Sequence, residues 1–307
     1  MRSIIKNIYH ESFIGYKIIR PFIKIYNFYR FRFLSDKKFV EKKFRKTFGF
    51  DLNLEAPKTF NEKINWLKLN DRTDLHTIAA DKYAVRDYIS KKIGKKYLIP
   101  LVFHSEEVNE VIPENFPDHP FIIKANHNSS GGMIVEDKSN FDWKKARFTL
   151  YKLMNDNYYY ESKEWQYKNI KPCIIAENLL KDSEGNIPYD YKLHCFNGKF
   201  VFVHVDIDRQ IDHRRNLYDT NWEFIDCVWY YKNGRPIAKP SVFEKMKELA
   251  EIIASDFYYV RVDLYIIGSD IYFGELTFHQ GSGTEIFTPH QWDIKFGQLL
   301  SIPIDNK

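Results

Sequence analysis

The sequence predicts an α+β fold, in which helices are mixed with largely antiparallel strands. Helical patterns fill the chain up to Gly94. One of them opens with a capping box, in which the side chains of Thr59 and Glu62 can accept hydrogen bonds from the free backbone N–H groups at the start of the helix. From Leu98 onward, short apolar runs alternate with turn residues, which is typical of strands. Between two of these runs stands Asn197-Gly198, the strongest short signal for a β-hairpin in the chain.

The individual elements follow, in chain order, from the periodicity and its breakers. Pro21 divides the N-terminal stretch, and a charged helix is predicted from about Asp36 to Lys46, ahead of Gly49. The capping box opens the next helix, and a longer helix is expected to run through residues 79–86 and to end at Gly94. Strands are predicted at residues 99–103, 121–124, 133–135 and 173–176, and further helices at residues 143–160 and 242–255.

Length and composition favour a folded protein in a reducing compartment. With 307 residues, of which 44% are hydrophobic and 17% aromatic, the chain can bury a substantial core and is not of the disordered class. Its cysteines, Cys173, Cys195 and Cys227, show no CxxC spacing, so neither a disulfide framework nor a zinc site is indicated. We therefore expect a cytoplasmic protein.

The basic character of the chain resides in its N-terminal segment. Residues 1–47 hold 13 Lys or Arg and 3 Asp or Glu, whereas the rest of the chain holds 33 basic and 38 acidic residues. Charges interrupt its apolar runs, so the segment reads neither as a signal peptide nor as a membrane span. Two interpretations stay open: a helix at the inner face of an anionic membrane or on a partner protein, or helices packed on the body with solvated cations. No recognised nucleic-acid motif accompanies the patch, so nucleic acid is not an expected partner.

A hairpin is predicted near the C-terminus. Residues 260–267 alternate apolar and polar side chains, as a strand buried on one face does, and a second run follows at residues 271–277. A three-residue loop, residues 268–270, would pair Ile267 with Ile271.

This register opposes two acidic side chains. Counted outward from the loop, Asp263 falls opposite Glu275, and Arg261 falls opposite Thr277, all on one face. Carboxylates opposed across a ladder repel each other, and a divalent cation such as Mg²⁺ would remove the repulsion. Two solvated acids on an edge hairpin are the alternative that the hairpin alone leaves open.

Two further segments carry residue types that suit nucleotide binding. Lys124 ends a predicted strand before the small and polar residues of loop 125–132, whose backbone N–H groups can hold phosphate oxygens. The loop lacks the Walker pattern, and an ordinary hairpin loop would look similar. Residues 176–180 run from an apolar strand into a short connector. This connector can offer backbone groups and one acidic acceptor to the edge of adenine, although a plain strand end would look the same.

Charged patches follow in the C-terminal half. Asp190 and Lys192 place an acid and a base on one strand face, which is most often a surface ion pair. A second cluster suits anion binding if its members converge, and is otherwise a solvated charge run. It consists of Arg209, His213, Arg214 and Arg215.

The order of these features resembles the ATP-grasp sequence of parts. Residues 58–67, 81–86 and 274–278 are similar to the TupA-like ATP-grasp family of polysaccharide and teichuronopeptide biosynthesis. The resemblance covers about residues 45–305 and implies two α+β subdomains that hold ATP between them, with the Ser/Gly loop as a flap. The expected domains are a basic helical segment, a helical subdomain, a small subdomain with the flap, and a metal and substrate subdomain, at residues 1–47, 48–115, 116–180 and 181–307.

The resemblance also implies site residues. Lys82, in a helical Asp-Lys-x-x-x-Arg, would contact phosphates together with Lys124 and Lys192, while Glu177 would face adenine and Asp190 would lie near the ribose or the phosphates. The residues implied to act on the reacting groups are Arg261, Lys192 and Arg214, and those implied to bind Mg²⁺ are Asp263, Glu275 and Thr277. Further ATP contacts are implied for Ser129, Ser130, Gly131, Gly132, Asn178 and Leu179.

One departure from the family pattern concerns the metal site. ATP-grasp ligases usually place Asn two residues after the metal-binding Glu, whereas Thr277 follows Glu275 here. A hydroxyl is a poorer magnesium ligand than an amide carbonyl, so His279 or Glu285 are candidates to substitute.

The reaction implied by the resemblance is that of an ATP- and Mg²⁺-dependent carboxylate–amine ligase. A carboxylate would attack the γ-phosphate of ATP to give an acyl phosphate, and an amine would then displace phosphate to form an amide. The implied partners are an acidic saccharide or nucleotide sugar that carries a uronic-acid carboxylate, and an amino acid or other small amine. A glycosyltransferase of capsule biosynthesis and an ATP-dependent sugar kinase stay open as alternatives, and a requirement for an amine distinguishes them.

Overall fold

The computed structural model describes residues 9, 12–129, 132–209 and 211–304, and it confirms the α+β class. None of the described helices is long and apolar enough to cross a membrane. The helices, numbered here from the first described one, are α1 Phe13–Phe33, α2 Asp36–Phe48, α3 Phe60–Asn70, α4 Asp74–Ala80, α5 Val85–Lys92, α6 Trp143–Asn155, α7 Tyr159–Ser162, α8 Phe243–Ala254 and α9 Gln291–Leu299. The strands are β1 Leu101–Ser105, β2 Phe121–Ala125, β3 Met133–Val135, β4 Ile174–Asn178, β5 Asp190–Phe196, β6 Lys199–Ile207, β7 Arg214–Tyr218, β8 Phe224–Ile225, β9 Val228–Trp229, β10 Tyr259–Ile267, β11 Asp270–Thr277 and β12 Phe287–Thr288.

The larger sheet has six strands in the order β11-β10-β5-β6-β7-β8, each antiparallel to its neighbours. Its first face is apolar along its length and packs against α8 and α5. Its second face is divided. One end is apolar and is covered by α3 and α9, where Phe60 and Phe296 meet the strands. The other end carries polar and charged side chains and is left uncovered by the helices, which opens it to a ligand.

The smaller sheet has four antiparallel strands in the order β1-β4-β2-β3 and is backed by α6. Strand β1, at residues 101–105, is part of this sheet because it pairs with β4. The boundary expected at residue 116 would assign these residues to the preceding helical subdomain. The hairpin predicted at Asn197-Gly198 is confirmed. Both residues have positive φ, 50° and 79°, as the turn between twisted strands requires.

The C-terminal hairpin differs from the prediction at its turn. Ile267 pairs with Asp270 rather than with Ile271, so the turn has two residues instead of three. A β-bulge between Val262 and Leu264 then restores the register, and Arg261 lies opposite Thr277 as predicted. Asp263 falls at the bulge, where two residues of β11, Gly274 and Glu275, stand against one residue of β10.

The helix expected to run through residues 79–86 is interrupted. The Asp81 side chain accepts hydrogen bonds from the backbone N–H groups of Tyr83 and Ala84, at 2.8 and 3.2 Å, which makes a turn between α4 and α5. The helix expected at residues 143–160 ends at Asn155 and resumes as the short α7, because the Asn157 side chain accepts from the Tyr159 backbone at 3.0 Å.

The N-terminal stretch is divided at Ser35 rather than at Pro21. Pro21 lies inside α1, where it removes only the hydrogen bond to the Lys17 carbonyl on the solvent side of the helix. Ser35 caps α2, and α2 packs into the body through Val40 and Phe44. The segment expected at residues 1–47 therefore combines two helices that pack differently, since α2 is packed into the body and much of α1 is exposed.

Candidate active site

A cleft of about 610 Å³ lies between the two sheets, at the polar end of the larger one. Several Lys and Arg side chains line it, and four of them act on the Glu275 carboxylate. These four cleft cations come from four separate segments of the chain and are Lys82, Lys124, Lys192 and Arg261. All four residues belong to motifs that are separate in the sequence, and the fold brings them together.

Lys82 lies in the turn between α4 and α5, not in a helix. Because Asp81 replaces the helical bonds, the Lys82 backbone N–H is free to donate to the Asn126 carbonyl at 3.0 Å. Its ammonium donates to the Asn128 carbonyl at 2.6 Å and lies 3.4 Å from Glu275. Lys82 thus links the base of the Ser/Gly loop to the acidic end of the cleft.

Glu177 holds two cations at the end of β4. Its carboxylate contacts the Lys124 ammonium and the Arg86 guanidinium, each at 2.6 Å, and it is buried. Glu177 therefore orients Lys124 toward the cleft, and its contact with adenine stays a prediction. Asn178 and Leu179 also line the cleft, and the Leu179 backbone N–H donates to the Pro120 carbonyl at 3.1 Å. Their predicted contacts with ATP stay predictions.

Arg261 joins the two carboxylates for which a metal role is predicted. Its guanidinium donates to both oxygens of Asp263, at 2.5 and 2.6 Å, and to Glu275 at 3.1 Å. A fourth bond, 2.5 Å to the Gln280 side chain, fixes its far side. Both carboxylates therefore converge on one nitrogen at the floor of the cleft.

The two carboxylates differ in their ionisation. Burial would raise the pKa of Glu275, but the charges of the four cleft cations outweigh it and lower that pKa to about 2. Burial raises the pKa of Asp263 to about 7, against the opposing effect of Arg261. Glu275 is consequently a fixed anion, and Asp263 depends on its cationic neighbours for its charge.

The donor set at this end of the cleft fits a magnesium ion in part. Within the described residues, no three His, Cys, Asp or Glu side chains form a ready metal cluster. Mg²⁺ nevertheless needs only one or two carboxylates when phosphates supply other ligands, and Asp263 and Glu275 provide two. Thr277, His279 and Glu285 line the same cleft and complete the set of candidate oxygen and nitrogen donors.

A second charged group extends the cleft along β5, β6 and β7. The Lys192 ammonium contacts Asp190 and lies 3.5 Å from Asp206. Asp206 also accepts from the Arg215 guanidinium at 2.8 Å. Burial opposes ionisation of Asp206, but Arg215 and Lys192 hold its pKa well below the usual range. The Oδ1 atom of Asp190 is buried and has no hydrogen-bond partner in the described part of the chain, so its capacity to accept a hydrogen bond is unused.

Arg214, which was predicted to act on the reacting groups, does not line the cleft, but its neighbour Arg215 does. On β7, Arg214 turns away and pairs with Asp212 at 2.8 Å, whereas Arg215 lines the cleft between Asp206 and Glu285. The structure therefore places Arg215, rather than Arg214, in the cleft. Strand alternation places only one of two adjacent residues on a given face.

The predicted anion cluster converges only in part. Arg209 lines the cleft and lies 3.6 Å from Asp190, while its side chain stays 57% exposed. His213 stacks on Tyr231, with ring centroids 3.7 Å apart, and lies 3.1 Å from Asp206. Arg209 and Arg215 are thus the members of the cluster that a ligand in the cleft can reach.

Sequence reasoning missed Asp206 and Gln280. Asp206 stands two residues after His204 on a strand that is otherwise apolar after its first residue, Lys199, and both face the same side as Lys192. That interruption of an apolar strand by two polar residues was a usable signal. Gln280 lies in a loop, where no periodicity marks the direction of a side chain.

The described residues on either side of the Ser/Gly loop lie along one side of the cleft. Ser129 and Gly132 line the cleft, and their predicted contact with ATP stays a prediction. Ser130 and Gly131 lie outside the described residues. The base of the loop is fixed by Asn126, which is buried and bonds to Asp81 and to the Cys173 backbone at 2.9 and 2.8 Å.

Two buried ionisable side chains, Lys68 and Glu164, lie at the end of the cleft that Ser282 lines. Lys68 donates to the carbonyl and the hydroxyl of Ser282, at 2.6 and 2.8 Å, and lies near Glu164. Burial lowers the pKa of Lys68 to about 7 and raises that of Glu164. Lys43 of α2 also lines this end, so a residue of the N-terminal segment takes part in the cleft.

The chain is similar to several solved ligase structures, at low identity. A D-alanine–D-alanine ligase from Helicobacter pylori is 17% identical, with 80% of this chain and 71% of that chain covered and a TM-score of 0.43. A D-alanine–D-alanine ligase from Bacillus anthracis is 17% identical over 65% of this chain and 56% of that chain, with a TM-score of 0.35. A phosphoribosylamine–glycine ligase from Thermotoga maritima is 15% identical over 66% and 48%, with a TM-score of 0.38.

The chain spans little more than half the length of the Bacillus anthracis ligase. No curated protein matches the sequence. The model of one family, TupA-like ATP-grasp, matches residues 62–301, which is most of the chain and includes all four cleft cations and both opposed carboxylates. The chain belongs to the TupA-like ATP-grasp family.

Proposed function

We propose that this protein is an ATP-dependent carboxylate–amine ligase, which forms an amide through an acyl phosphate. The observation that carries the proposal is the convergence of four cations on two carboxylates in one cleft, at Lys82, Lys124, Lys192, Arg261, Asp263 and Glu275. Cations suit the phosphates of ATP, and paired carboxylates suit the magnesium ion that accompanies them.

The reaction needs two displacements. In the first, an oxygen of the acceptor carboxylate forms a bond to the γ-phosphorus of ATP while the bond to the β-phosphate oxygen breaks, and ADP leaves. In the second, an amine nitrogen attacks the acyl carbon, the bond from carbon to the phosphate oxygen breaks, and the nitrogen loses a proton. The products are an amide, ADP and inorganic phosphate, and no Ser or Cys nucleophile is required.

The cleft residues would act by position and charge. Lys82, Lys124 and Lys192 would hold phosphate oxygens, and Glu177 would keep Lys124 in place through its 2.6 Å contact. Arg261 would stabilise the oxygens of the transferring group. A magnesium ion at Asp263 and Glu275 would neutralise charge on the phosphates, with Asp263 shared between the metal and Arg261.

The acceptor proposed is a saccharide that carries a uronic-acid carboxylate, as a free sugar, a nucleotide sugar or a carrier-linked unit of a surface polysaccharide. Arg209 and Arg215 line the cleft beyond Lys192 and would pair with an acidic sugar or its diphosphate. The amine proposed is an amino acid or another small amine.

Mass spectrometry tests the proposal. The purified protein is incubated with ATP, Mg²⁺, a pool of uronic acids and nucleotide-uronic acids, and a pool of amino acids, and each component is omitted in turn. We expect a product whose mass is that of acceptor plus amine less water, together with ADP, only in the complete mixture.

The omission series separates the alternatives. A phosphorylated sugar that forms without an amine would mean a kinase, and transfer of a sugar from a nucleotide without ADP formation would mean a glycosyltransferase. Either outcome would overturn the ligase assignment. The variant Lys171→Ala, at an exposed lysine outside the cleft, serves as a preparation control for Lys124→Ala, which should lose the product.

A further inference from the structure

Helix α1 carries cations and apolar residues but no acid. Between Phe13 and Phe33 the sequence contains five Lys or Arg and no Asp or Glu. The Ser12 side chain accepts a hydrogen bond from the Gly15 backbone and caps the helix. Because the helix contributes no acidic side chain of its own, it carries a net positive charge.

One side of α1 is docked on the body. Tyr16 is 1% exposed, and its ring meets the rings of Phe148 and Tyr151 on α6, with centroids 6.1 and 5.9 Å away. Arg20 lies 3.6 Å from Asp156 at the end of α6. These contacts fix which side of α1 faces the protein and which side faces away.

The side that faces away is an apolar stripe. Ile14, Ile18, Phe22, Ile25 and Tyr29 recur at the helical period, on the face opposite Tyr16. All five are exposed, from 55% for Ile25 to 70% for Ile14. Isolated exposed apolar residues are ordinary, but a continuous stripe of this length marks an interaction surface.

Cations border the stripe and continue beyond it. Lys17 and Lys24 are exposed along one edge of the stripe. Lys17 also lines a groove of about 790 Å³ between α1 and α6, together with Lys144 and Lys145. An apolar face edged by lysines, with a cationic groove beside it, matches the boundary between acyl chains and anionic headgroups.

We propose that α1 binds an anionic membrane surface, with the stripe inserted at the level of the headgroups and with Lys17 and Lys24 against lipid phosphates. The helix lies along the membrane because it is not apolar enough to cross it. A second copy of the chain suits this face poorly, because two surfaces without acidic residues would place cations against cations. The proposal concerns attachment and is independent of the reaction in the cleft.

Sedimentation with vesicles tests this proposal on the full-length protein. Vesicles of phosphatidylcholine with phosphatidylglycerol are compared with vesicles of phosphatidylcholine alone, at about 0.1 M and about 1 M salt, where the screening length falls from about 10 to about 3 Å. We expect binding to the anionic vesicles that weakens at high salt. The double variant Ile18→Glu with Phe22→Glu should bind at least about tenfold more weakly.

A matched control variant has the same two types of substitution, Ile to Glu and Phe to Glu, at exposed positions outside α1. Ile252→Glu with Phe224→Glu also replaces one exposed Ile and one exposed Phe, outside α1, and should bind as the unmodified protein does. The proposal is overturned if the unmodified protein does not bind anionic vesicles at low salt, or if both double variants lose binding equally. It is also overturned if light scattering shows that the stripe variant only converts a dimer to a monomer while vesicle binding is unchanged.

Discussion

Which face of a strand a residue occupies decides its part in the cleft. Arg214 and Arg215 are adjacent in the sequence, yet Arg215 bonds to Asp206 and Glu285 inside the cleft while Arg214 pairs with Asp212 outside it. The sequence indicated a cluster of arginines but not which of them faces inward. Successive side chains of a strand point to opposite faces, and two adjacent arginines do not show which of the two faces is the inner one.

The adjacent arginines provide a matched pair of variants. Arg215→Lys keeps the charge but loses the forked contact with Asp206, so we expect the KM for the acidic acceptor to rise by about tenfold to a hundredfold. Arg214→Lys should change it by no more than about twofold, because its partner is exposed. Steady-state kinetics of both variants checks this, and equal effects would contradict the assignment of Arg215 to the acceptor.

The opposed carboxylates lead to a prediction about ATP turnover. Glu275→Gln and Asp263→Asn should each lower Mg²⁺-dependent ATP turnover by about a hundredfold or more, because each removes a charged ligand where phosphate charge develops. Asp270→Asn, at the exposed turn of the same hairpin, is the control and should keep its rate. Near-normal turnover by either cleft variant, with thermal unfolding unchanged, would show that the metal site lies elsewhere.

At the scale of the element, the C-terminal hairpin shows what a pattern can and cannot determine. A three-residue loop and a two-residue turn followed by a bulge both place Arg261 opposite Thr277. The sequence shows the same alternation of apolar and polar side chains in the two strands whether a three-residue loop or a two-residue turn with a bulge joins them. The predicted pairing of Arg261 with Thr277 was therefore right, whereas the turn was wrong. The predicted direct pairing of Asp263 with Glu275 was also wrong, because Asp263 lies at a bulge that was not visible in the sequence.

Gly274 makes that bulge possible. A Cβ atom at this position would lie 2.9 Å from the Tyr265 ring and 3.2 Å from the Asp263 carbonyl. Gly274→Ala should therefore lower the free energy of unfolding by about 1–3 kcal/mol and reduce ATP turnover by displacing Asp263 and Glu275. Gly268→Asn, at the open turn where φ is +60°, should do neither. Urea denaturation and turnover of both variants provide the check, and an inert Gly274→Ala would contradict it.

The larger sheet supports the cleft through a buried histidine pair. His194 and His204 lie side by side, 2.7 Å apart between ring nitrogens, and His194 also bonds to the Tyr259 hydroxyl at 2.9 Å. Burial and the neighbouring cations hold the pKa of both histidines well below 6.5. Both rings thus stay neutral in the folded protein beneath the charged end of the sheet.

At the scale of the whole molecule, this pair makes stability depend on pH. Below about pH 6.5 the unfolded chain binds protons at both histidines and the folded protein does not, so the free energy of unfolding should fall by roughly 1 kcal/mol per pH unit for each. The variant His194→Gln with His204→Gln should show a shallower fall between about pH 6.5 and 5 than the unmodified protein, as measured by urea denaturation. His119→Gln, at an exposed histidine, should leave the slope unchanged. Identical slopes for all three would contradict the buried neutral pair.

The fold could be predicted from sequence further than the site. The capping box at Thr59 and the turn at Asn197-Gly198 are local signals, and both are confirmed. The interruption at Asp81 was not predicted, because an aspartate can cap a new turn or continue a helix and only tertiary contacts decide. Among the cleft cations, Lys124 was identified because it ends an apolar run, whereas the roles of Lys82, Lys192 and Arg261 were implied by the resemblance to the ATP-grasp family. The bonds that hold them, such as Glu177 with Lys124, join residues far apart in the chain.

The central claim is that the cleft joins a carboxylate to an amine at the expense of ATP, and the fate of the carboxylate oxygens tests it most directly. The acceptor pool is labelled with ¹⁸O in its carboxyl groups, and the inorganic phosphate released with ADP is analysed by mass spectrometry. An acyl phosphate transfers one acceptor oxygen to phosphate for each amide formed, so we predict ¹⁸O-labelled phosphate only when acceptor, amine and ATP are all present. Phosphate without the label, or ADP formation that is indifferent to the amine, would contradict the account.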